Sequence, residues 1–432
     1  MPSSKIVFDN VHGNIHLNPV EVEIIDTAIF QRLRRISHLA LAEFVFPGAT
    51  HNRFAHSLGT LYTISEMLHS LMENKREELN VPEGDVKVIR LVGLLHDIGH
   101  LPFSHVFDGL MEDETDNTHE DLTVKLLKES EIGRILDKYG DLDQDLLINI
   151  LEKKFTPTEE RNLNYVTLID GNLDADKLDY LKRDSLHTGV GYGSIDVERI
   201  LKTISVDDDH SICVMNKGRL ALENLCIARY HMFQTVYFHK SVVAFETMLR
   251  RIYERLIEDK TDPIFSFKEV LEFDEHNYIR YNDGYVWSKI MNYSGRDEYI
   301  QELSSMLLEH ESIKLVVADP QLVEPEETLK RRLALLNYDH YKKMITDIMH
   351  DFDINWLFTA DSRTKFRKSD YIKTPIKVQM KDEGEIFFID ISDLKYSIMY
   401  PLKKEFSNFL VYTRSDFVEG LRKVLREIHL ID

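Results

Sequence analysis

The segment His96-Asp97-Ile98-Gly99-His100 contains residue types that can bind a metal ion and transfer a proton. Adjacent histidine and aspartate side chains can bind one divalent cation if a helix end presents both to a common point, and such a mixed set accepts several metals. His100 follows His96 by four residues and therefore shares its helical face. The dipeptide alone is weak evidence, because His350-Asp351 repeats it in a stretch typical of a solvated helix face.

Further histidines and carboxylates accompany the first dipeptide. His56, His96, Asp97 and a carboxylate near residue 176 would form a four-ligand site with positions left open for water. A metal in such a site lowers the pKa of bound water and supplies hydroxide near neutral pH. A second layer, able to bind phosphate oxygens or to protonate a leaving group, would consist of His100, His105 and His119. Any one of these histidines could be an ordinary core or surface residue, but so dense a set favours a metal site.

Helices are predicted to position these residues. Asn18-Pro19 has the residue types of a helix start, and Thr27 is suited to cap a second segment. Apolar residues at helical spacing predict further helices from Asn52 past Met67, from Pro82 to a stop at Gly99 or Pro102, and over about residues 224–254. The first half of the chain is therefore predicted to be a helical domain, residues 1–255.

The pattern after about residue 260 is mixed, which predicts an α/β lobe over residues 256–432. Residues 313–317 have the pattern of a strand that ends at Asp319-Pro320. A β-hairpin is predicted from residues 376–380 and 386–391, which flank Asp382-Glu383-Gly384, and helices are predicted at 326–336 and 415–428. The predicted fold class is mainly α, with a C-terminal mixed α/β lobe.

Composition restricts the partners and the compartment. The chain of 432 residues has 53 Lys and Arg against 74 Asp and Glu, a net charge of −21. This balance speaks against nucleic acid or a membrane surface as the main partner, although it is compatible with a local basic pocket for an anionic ligand. Two cysteines, Cys213 and Cys226, cannot form a disulfide framework. With no leader and no run of about 18 apolar residues, the sequence predicts a soluble cytoplasmic protein.

Several ordered motifs resemble those of a known family. His56, His96-Asp97 and Asp176 match the H…HD…D signature of the HD-domain metal-dependent phosphohydrolases. The sequence is most similar to the deoxynucleoside triphosphate triphosphohydrolase branch, which includes animal and bacterial enzymes. The motifs that carry this resemblance are DNVHG at 9–13, FQRLR at 30–34, VFPGA at 45–49, HNRFAHSLG at 51–59 and YFHK at 237–240. The implied fold is an HD-domain helical bundle.

The resemblance implies a role for each matching residue. One divalent metal per active site, whose identity among Fe, Mn, Mg, Zn, Co and Ni the ligand set leaves open, would be bound by His56, His96, Asp97 and Asp176. The catalytic and phosphate-facing group would be His119, His100, His105 and Asp108. Phosphate would be bound by Arg53 and Lys177. The nucleotide pocket would be lined by Tyr180, Asp184, Arg229 and Tyr237. Without the resemblance, Arg229 and Tyr237 would be assigned to an exposed helix face and to the core.

Position 38 differs from the family pattern, and the resemblance also implies a regulatory nucleotide site. His38-Leu39 stands at the sugar edge, where the animal members have Gln-Leu, so deoxyribose selection and a relaxed sugar preference are both open. The animal members also bind a guanine nucleotide where subunits meet. The corresponding residues here are Lys5, Ile6, Asp26, Gln31 and Arg34. They imply activation by GTP or dGTP and a homo-oligomer, either a dimer or a tetramer.

The implied activity is hydrolysis of dNTPs at the α-phosphorus by metal-activated water, with a nucleoside and inorganic triphosphate as products. The first alternative is another HD reaction, by a phosphodiesterase or by a nucleotidase with relaxed sugar preference. The second is a non-enzymatic nucleotide sensor or nucleic-acid binder. The complete ligand set speaks against a sensor, and the acidic composition speaks against nucleic acid as the main ligand.

Overall fold

The computed structural model describes residues 3–75, 78–261, 264–322, 338–363, 376–382, 385–395, 397 and 406–427. The helix predicted at 326–336 lies outside the described residues. The fold is mostly helical, with small sheets, so the predicted fold class is confirmed. Within the described part of the chain, every helix is too short or too polar to cross a lipid bilayer.

The chain begins with a hairpin of β1 (Lys5–Asp9) and β2 (Gly13–Leu17), which the sequence did not predict. The two predicted helix starts follow. Asn18 caps α1 (Pro19–Ile25) through a capping box, and Thr27 caps α2 (Ala28–Arg32). Both caps are confirmed, because a side-chain oxygen satisfies a backbone N–H that has no partner within the helix.

Helices α3 (Arg53–Asn74) and α4 (Glu83–Leu95) form the centre of the first buried cluster. Their predicted starts at Asn52 and Pro82 are confirmed. The two helices lie so close that a Cβ on Gly93 would be 2.7 Å from Cγ2 of Ile64 and 3.0 Å from the carbonyl oxygen of Thr60. Glycine at position 93 therefore permits this packing.

Shorter helices complete the first half. They are α5 (His105–Thr115), α6 (His119–Glu129), α7 (Glu131–Lys138), α8 (Gln144–Leu151), α9 (Ala175–Thr188) and α10 (Val197–Leu201). Two short strands follow, β3 (Ile204–Val206) and β4 (Ile212–Met215).

The single long helix predicted over 224–254 is wrong, because the structure has two helices there. Helix α11 (Arg219–Met232) passes into a π-helical turn, Phe233–Tyr237, and α12 (Lys240–Glu258) begins after it. The side chain of His239 caps α12 by accepting a hydrogen bond from the backbone N–H of Ser241. No glycine or proline marks this break, so the apolar pattern runs through it.

Most of the remaining helices contribute residues to a second buried cluster. The remaining helices are α13 (Phe267–Leu271), α14 (Glu275–Arg280), α15 (Asp283–Met291), α16 (Glu298–Leu308), α17 (Tyr338–Ile348) and α18 (Val418–Glu427). The last of these confirms the helix predicted at 415–428 within the described residues.

The strands of the second half form two sheets. The strand predicted at 313–317 is present, but its predicted end is wrong: β5 (Lys314–Leu322) continues through Asp319-Pro320. In the sheet of order β5-β9-β6, with β6 (Phe358–Arg363) and β9 (Phe406–Thr413), β5 is an edge strand. Proline is tolerated there because one side of an edge strand needs no N–H donor.

The predicted hairpin at 376–391 is confirmed as β7 (Lys377–Asp382) and β8 (Glu385–Asp390). It joins the earlier strands in a sheet of order β3-β4-β7-β8, through a parallel pairing of Val214 with Val378. This sheet and the continuous helix α12 both connect segments on either side of residue 255. The division of the chain at that residue stays a prediction.

Candidate active site

Three separate segments bring the four predicted metal ligands together. His56 lies on the first turn of α3, and Asp176 lies on the first turn of α9. Helix α4 ends at Leu95, earlier than predicted, so His96 and Asp97 lie in the turn beyond its end. A turn lets the two adjacent side chains face the same point.

One ligand atom each of His56, His96 and Asp176 lies within 4.8 Å of the others, and Asp97 lies beside both histidines. Nε2 of His56 lies 3.0 Å from Oδ1 of Asp176 and 3.5 Å from Oδ2 of Asp97. Nε2 of His96 lies 3.2 Å from Oδ1 of Asp97 and 3.8 Å from Oδ1 of Asp176. Such separations suit ligand atoms around one ion with bonds of about 2.1 Å.

The hydrogen bonds of the two histidines leave the correct nitrogen for a metal. The Nδ1 atom of His96 lies 3.0 Å from the carbonyl oxygen of Gly93, which can only accept, so this nitrogen carries the proton. Nδ1 of His56 lies 2.7 Å from the carboxylate of Asp179 and donates likewise. Both Nε2 atoms are buried and have no hydrogen-bond partner in the described structure. Neutral imidazole with a bare Nε2 is the form that binds a metal, so these residues fit a divalent cation.

Asp179, to which the sequence assigned no role, is held from several sides. Its carboxylate accepts hydrogen bonds from Nε2 of His12 at 2.6 Å and from Nε and Nη2 of Arg183 at 2.9 Å each. Arg183 is paired in turn with Asp9, at the end of β1. A Cβ on Gly59 would lie 1.9 Å from Oδ1 of Asp179, so only glycine fits there. This layer orients His56, one of the predicted metal ligands.

Electrostatics show that the cluster attracts positive charge. Burial alone would lower the pKa of His56, but the carboxylates of Asp176, Asp179 and Asp97 raise it to about 10. Burial would raise the pKa of Asp97, yet the charges of Arg53 and the neighbouring histidines hold it well below its usual range. A proton or a metal cation can compensate the excess of carboxylates here.

Three of the four predicted catalytic residues lie together. Nδ1 of His100 lies 2.5 Å from Oδ2 of Asp108, and its Nε2 lies 3.1 Å from Oδ1 of Asp97. The ring of His119 stacks on that of His100, with 4.0 Å between centroids. His105 is exposed at the start of α5, with its ring centroid 5.9 Å from that of His100.

The two stacked histidines differ in protonation. Burial and the charge of His100 lower the pKa of His119 to about 3, so its ring is neutral near pH 7. Burial and Arg53 lower the pKa of His100, but Asp108 and Asp97 outweigh them and raise it above its usual value. Of the two rings, His100 therefore binds a proton more tightly than His119 does.

Arg53 lies beside the predicted metal ligands. Its Nη1 pairs with Asp97, and its Nε donates to Oγ of Ser104 at 2.9 Å. Its Nη2 is buried and has no partner among the described residues. One arm of the guanidinium group is thus left for an anion near the ligand cluster.

The predicted nucleotide pocket contains a hydrogen-bonded group around Asp184. The hydroxyl of Tyr237 donates to Oδ2 of Asp184 at 2.6 Å, and Nε2 of His51 lies 2.7 Å from its Oδ1. His38 is buried, with Nε2 3.7 Å from the same oxygen and its ring 4.5 Å from that of His56. Tyr180 contacts Tyr237 edge-on at 6.2 Å. His51, in the HNRFAHSLG motif, received no role from the sequence.

The other predicted pocket residues lie at its sides. Nζ of Lys177 donates to Oδ2 of Asp174 at 2.7 Å, and an Nη of Arg229 donates to Oδ1 of Asn172 at 3.4 Å. Burial and the nearby charge of Arg229 lower the pKa of Lys177, but the carboxylate of Asp174 outweighs them, so the pKa is raised above its usual value. Leu39 is partly buried and packs on the core.

The five predicted regulatory residues lie at the surface in two contacting groups. Nζ of Lys5 lies 2.9 Å from Oδ2 of Asp26, while Ile6 is 61% exposed. Nε of Arg34 donates to Oε1 of Gln31 at 2.7 Å. The side chain of Gln31 donates to the carbonyl oxygen of Ile25, next to Asp26, at 2.7 Å, which connects the two groups.

The second dipeptide, His350-Asp351, has a different setting. Both residues are exposed in a turn after α17, not on a helix as the sequence pattern suggested. None of the His and carboxylate clusters found in the described ranges includes either residue.

Comparisons with known proteins agree with this geometry. The sequence model of the family described as the HD domain matches residues 53–184, and that of the HD associated region matches residues 195–314. The chain therefore belongs to the proteins that combine an HD domain with an HD associated region. HD domains are metal-dependent, in agreement with the ligand cluster.

Two curated relatives show the extent of the similarity. The human deoxynucleoside triphosphate triphosphohydrolase SAMHD1 is 29% identical over 91% of this chain and 63% of its own length. An uncharacterized protein of Methanocaldococcus jannaschii is 34% identical over 66% of this chain and 57% of its own length. The chain thus spans 57% to 63% of these relatives.

Two solved structures share the fold over nearly the whole chain. A hypothetical protein from Aquifex aeolicus has a TM-score of 0.72 at 28% identity, covering 98% of this chain and 100% of its own. A phosphohydrolase from Bacteroides thetaiotaomicron has a TM-score of 0.74 at 26% identity, covering 95% and 100%.

Proposed function

We propose that this protein hydrolyses deoxynucleoside triphosphates at the α-phosphorus and releases a nucleoside and inorganic triphosphate. The observation that carries the proposal is the cluster of His56, His96, Asp97 and Asp176, whose two bare Nε2 atoms fit a divalent metal. The similarity to human SAMHD1, a deoxynucleoside triphosphate triphosphohydrolase, supports the substrate class.

The four ligands would hold one divalent cation. When bound, such a cation lowers the pKa of a water ligand, so that hydroxide is available near neutral pH. The chain's own contribution is orientation: Asp179 fixes the ring of His56, and the carbonyl oxygen of Gly93 fixes that of His96. The metal itself is left open among Fe, Mn, Mg, Zn, Co and Ni.

Basic side chains would bind the triphosphate. The net charge of −21 opposes an anionic substrate, so local positive charge has to compensate it. Arg53 can offer its free Nη2 to a phosphate oxygen while Nη1 stays on Asp97. Lys177 would add a second positive charge. An Arg–phosphate pair is a charge-assisted hydrogen bond, about twice as strong as a neutral one.

Proton transfer to the leaving group would come from the histidine pair. His100, held by Asp108, carries the proton, and His119 stacks on it. His119 would then relay or donate a proton once an anionic phosphate oxygen beside it raises its pKa. His105, which is exposed, would face the phosphates from the rim of the site.

The nucleoside would lie on the other side of the metal cluster. Asp184 and Tyr237, already joined by a hydrogen bond, would form the polar edge for the sugar together with His38 and Leu39. Tyr180 and Arg229 would line the base and phosphate sides. An aromatic ring can pack on a sugar or a base.

The experiment that tests the proposal is incubation of the protein with each dNTP and NTP, over several divalent metals, with and without GTP. Release of intact inorganic triphosphate is expected with dNTPs. Orthophosphate, pyrophosphate or a nucleoside monophosphate as the product would instead identify another HD reaction, such as a phosphodiesterase or a nucleotidase.

A prediction concerns the sugar, where His38 replaces the Gln of the animal members. We expect dATP to be preferred over ATP in both the wild type and His38→Gln, because the Asp184–Tyr237 pair is present in both. The measurement is kcat/KM for dATP, ATP and 3′-deoxy-ATP. A site built to hydrogen-bond one hydroxyl can discriminate by as much as roughly 10⁴-fold.

Two outcomes would revise this prediction. A preference that appears only in His38→Gln would show that position 38 sets a relaxed sugar preference in the wild type. Equal turnover of all three substrates in both proteins would remove His38 and the Asp184–Tyr237 edge from sugar recognition.

A second prediction concerns regulation by a guanine nucleotide at Lys5, Ile6, Asp26, Gln31 and Arg34. GTP or dGTP is expected to raise activity and to promote assembly to a dimer or tetramer together. Asp26→Ala should remove both effects, since a carboxylate is the natural partner of the guanine N1–H and amino group. Light scattering measures assembly and triphosphate release measures activity, each with and without added GTP.

Asp141→Ala is a matched control for regulation, because Asp141 also forms an exposed ion pair, with Lys87, away from these five residues. One unchanging oligomer, with activity indifferent to GTP, would refute the regulatory site and leave the catalytic proposal standing.

We also propose a cytoplasmic location for the protein.

A further inference from the structure

A strained turn lies directly beyond the metal ligands. Phe103 and Ser104 have φ angles of 53° and 44°, in the left-handed region that side chains other than glycine rarely adopt. Such residues persist only where surrounding contacts hold them, and they concentrate at functional sites. The hydroxyl of Ser104 donates to the carbonyl oxygen of Ser37 at 3.1 Å and accepts from Nε of Arg53 at 2.9 Å. The turn therefore contacts the arginine beside the metal ligands.

The contact that holds this turn comes from the HD associated region. Asp283, the first residue of α15, accepts a hydrogen bond from the backbone N–H of Phe103 at 2.8 Å through Oδ1. Through Oδ2 it accepts one from the backbone N–H of Ser37 at 2.7 Å. One carboxylate thus joins two segments that lie 180 and 246 residues away in the sequence.

Two further observations separate this role from ordinary helix capping. The start of α15 is already capped by Asn282, whose side chain accepts from the N–H of Gly284 at 3.0 Å. Trp287, one turn later on α15, packs edge-on against the ring of Phe103 at 5.8 Å. Helix α15 therefore holds Phe103 by both its backbone and its ring, and the carboxylate of Asp283 serves the distant turn.

We infer that Asp283 is a positioning residue for Arg53, acting through the Phe103–Ser104 turn and the hydroxyl of Ser104. Nη1 of Arg53 is held by Asp97 and Nε by Ser104, which leaves the buried Nη2 available to bind an anion. A planar guanidinium group binds phosphate well only in a fixed orientation. The inference rests on the proposed function in one respect: it takes that anion to be the triphosphate of the substrate.

The test is a double-mutant cycle of Asp283→Asn and Ser104→Ala. Asparagine keeps the shape of aspartate but offers one acceptor and places an NH₂ group against the second N–H. Each single variant is expected to lower kcat/KM for dNTP hydrolysis by roughly 100-fold, the effect of misplacing a positioning group by about 1 Å. The kcat/KM of the double variant should be no lower than that of the less active single variant, because both changes break the same connection to Arg53.

A matched control comes from the same region. Asp274 caps α14 by accepting from the backbone N–H of Asn277 at 2.8 Å and is exposed. Asp274→Ala should lower the melting temperature and leave kcat/KM unchanged. Metal content should equal that of the wild type in every variant, since none of the three residues is a metal ligand. Multiplicative losses in the double variant, or wild-type activity of Asp283→Asn, would overturn the inference.

A wild-type protein that hydrolyses no nucleotide would refute the proposed function by itself. The same proteins, loaded with metal, are then compared by calorimetry for their affinity for inorganic triphosphate. The inference holds if Asp283→Asn and Ser104→Ala each weaken binding and the double variant weakens it no further. It is overturned if the wild type does not bind triphosphate or if all variants bind equally.

Discussion

Asp97→Ala is expected to abolish hydrolysis and to remove most of the bound metal. The carboxylate of Asp97 lies next to His56 and His96 and also pairs with Arg53 and His100, so its removal affects the proposed metal ligands and their neighbours together. Loss of a direct ligand should exceed the roughly 10- to 100-fold effect typical of residues that only support a metal ligand. Elemental analysis of the purified variant and triphosphate release are the measurements.

The removal of Asp97 also leaves Arg53 buried without its partner, which costs about 3–5 kcal/mol of stability. Asp97→Asn, which keeps the volume, and His96→Ala, which leaves the Arg53–Asp97 pair intact, are the companion variants. Both should stay folded by circular dichroism and should also lose metal and activity.

The control for this prediction is the chain's second His-Asp pair. His350→Ala combined with Asp351→Ala changes the same residue types in an exposed turn, and metal content and activity should stay as in the wild type. Full metal occupancy in the Asp97 and His96 variants would show that the metal does not bind at His96-Asp97. Loss of activity in the His350 and Asp351 variant would likewise contradict the assignment.

His119→Ala is expected to retain metal and nucleotide binding and to lose turnover by about 10²–10⁴-fold, the contribution of a general acid or base. His119 is not among the four ligands, and its ring stacks on His100, which carries the proton of the pair. Single-turnover hydrolysis, together with nucleotide binding measured by calorimetry, separates the two effects. Near-normal turnover would make His119 a structural residue.

The pH profile extends this prediction. The pKa of His100 is raised above its usual value by Asp108 and Asp97, after the opposing effects of burial and Arg53. His100 is therefore protonated below that raised pKa and loses its proton as the pH rises through it. Turnover of the wild type should fall on that alkaline side. His119→Ala should keep this alkaline fall at a lower rate, and His100→Ala should lose it.

Local signals in the sequence were enough to predict many of the elements. Asn18, Thr27 and Asn52 cap the helices that follow them as predicted, because a cap depends on residues within one turn of the chain. The hairpin at 376–391 was also predictable, since two alternating strands and a short turn are contiguous. The break after Met232 was not, because a π-helical turn leaves no glycine or proline in the sequence.

For the site, the sequence by itself determined the residues that bind the metal in our proposal, through residue types that bind metals and a resemblance to the H…HD…D signature. Only the tertiary structure decided what holds them. The partners of Asp179 and Asp184 are His12, 167 residues away, and His51, 133 residues away. Asp283 binds the backbone N–H of Phe103, which lies 180 residues away in the sequence. A hydrogen bond over such a separation leaves no local pattern, since it depends on how helices and hairpin pack and not on the period of any one segment.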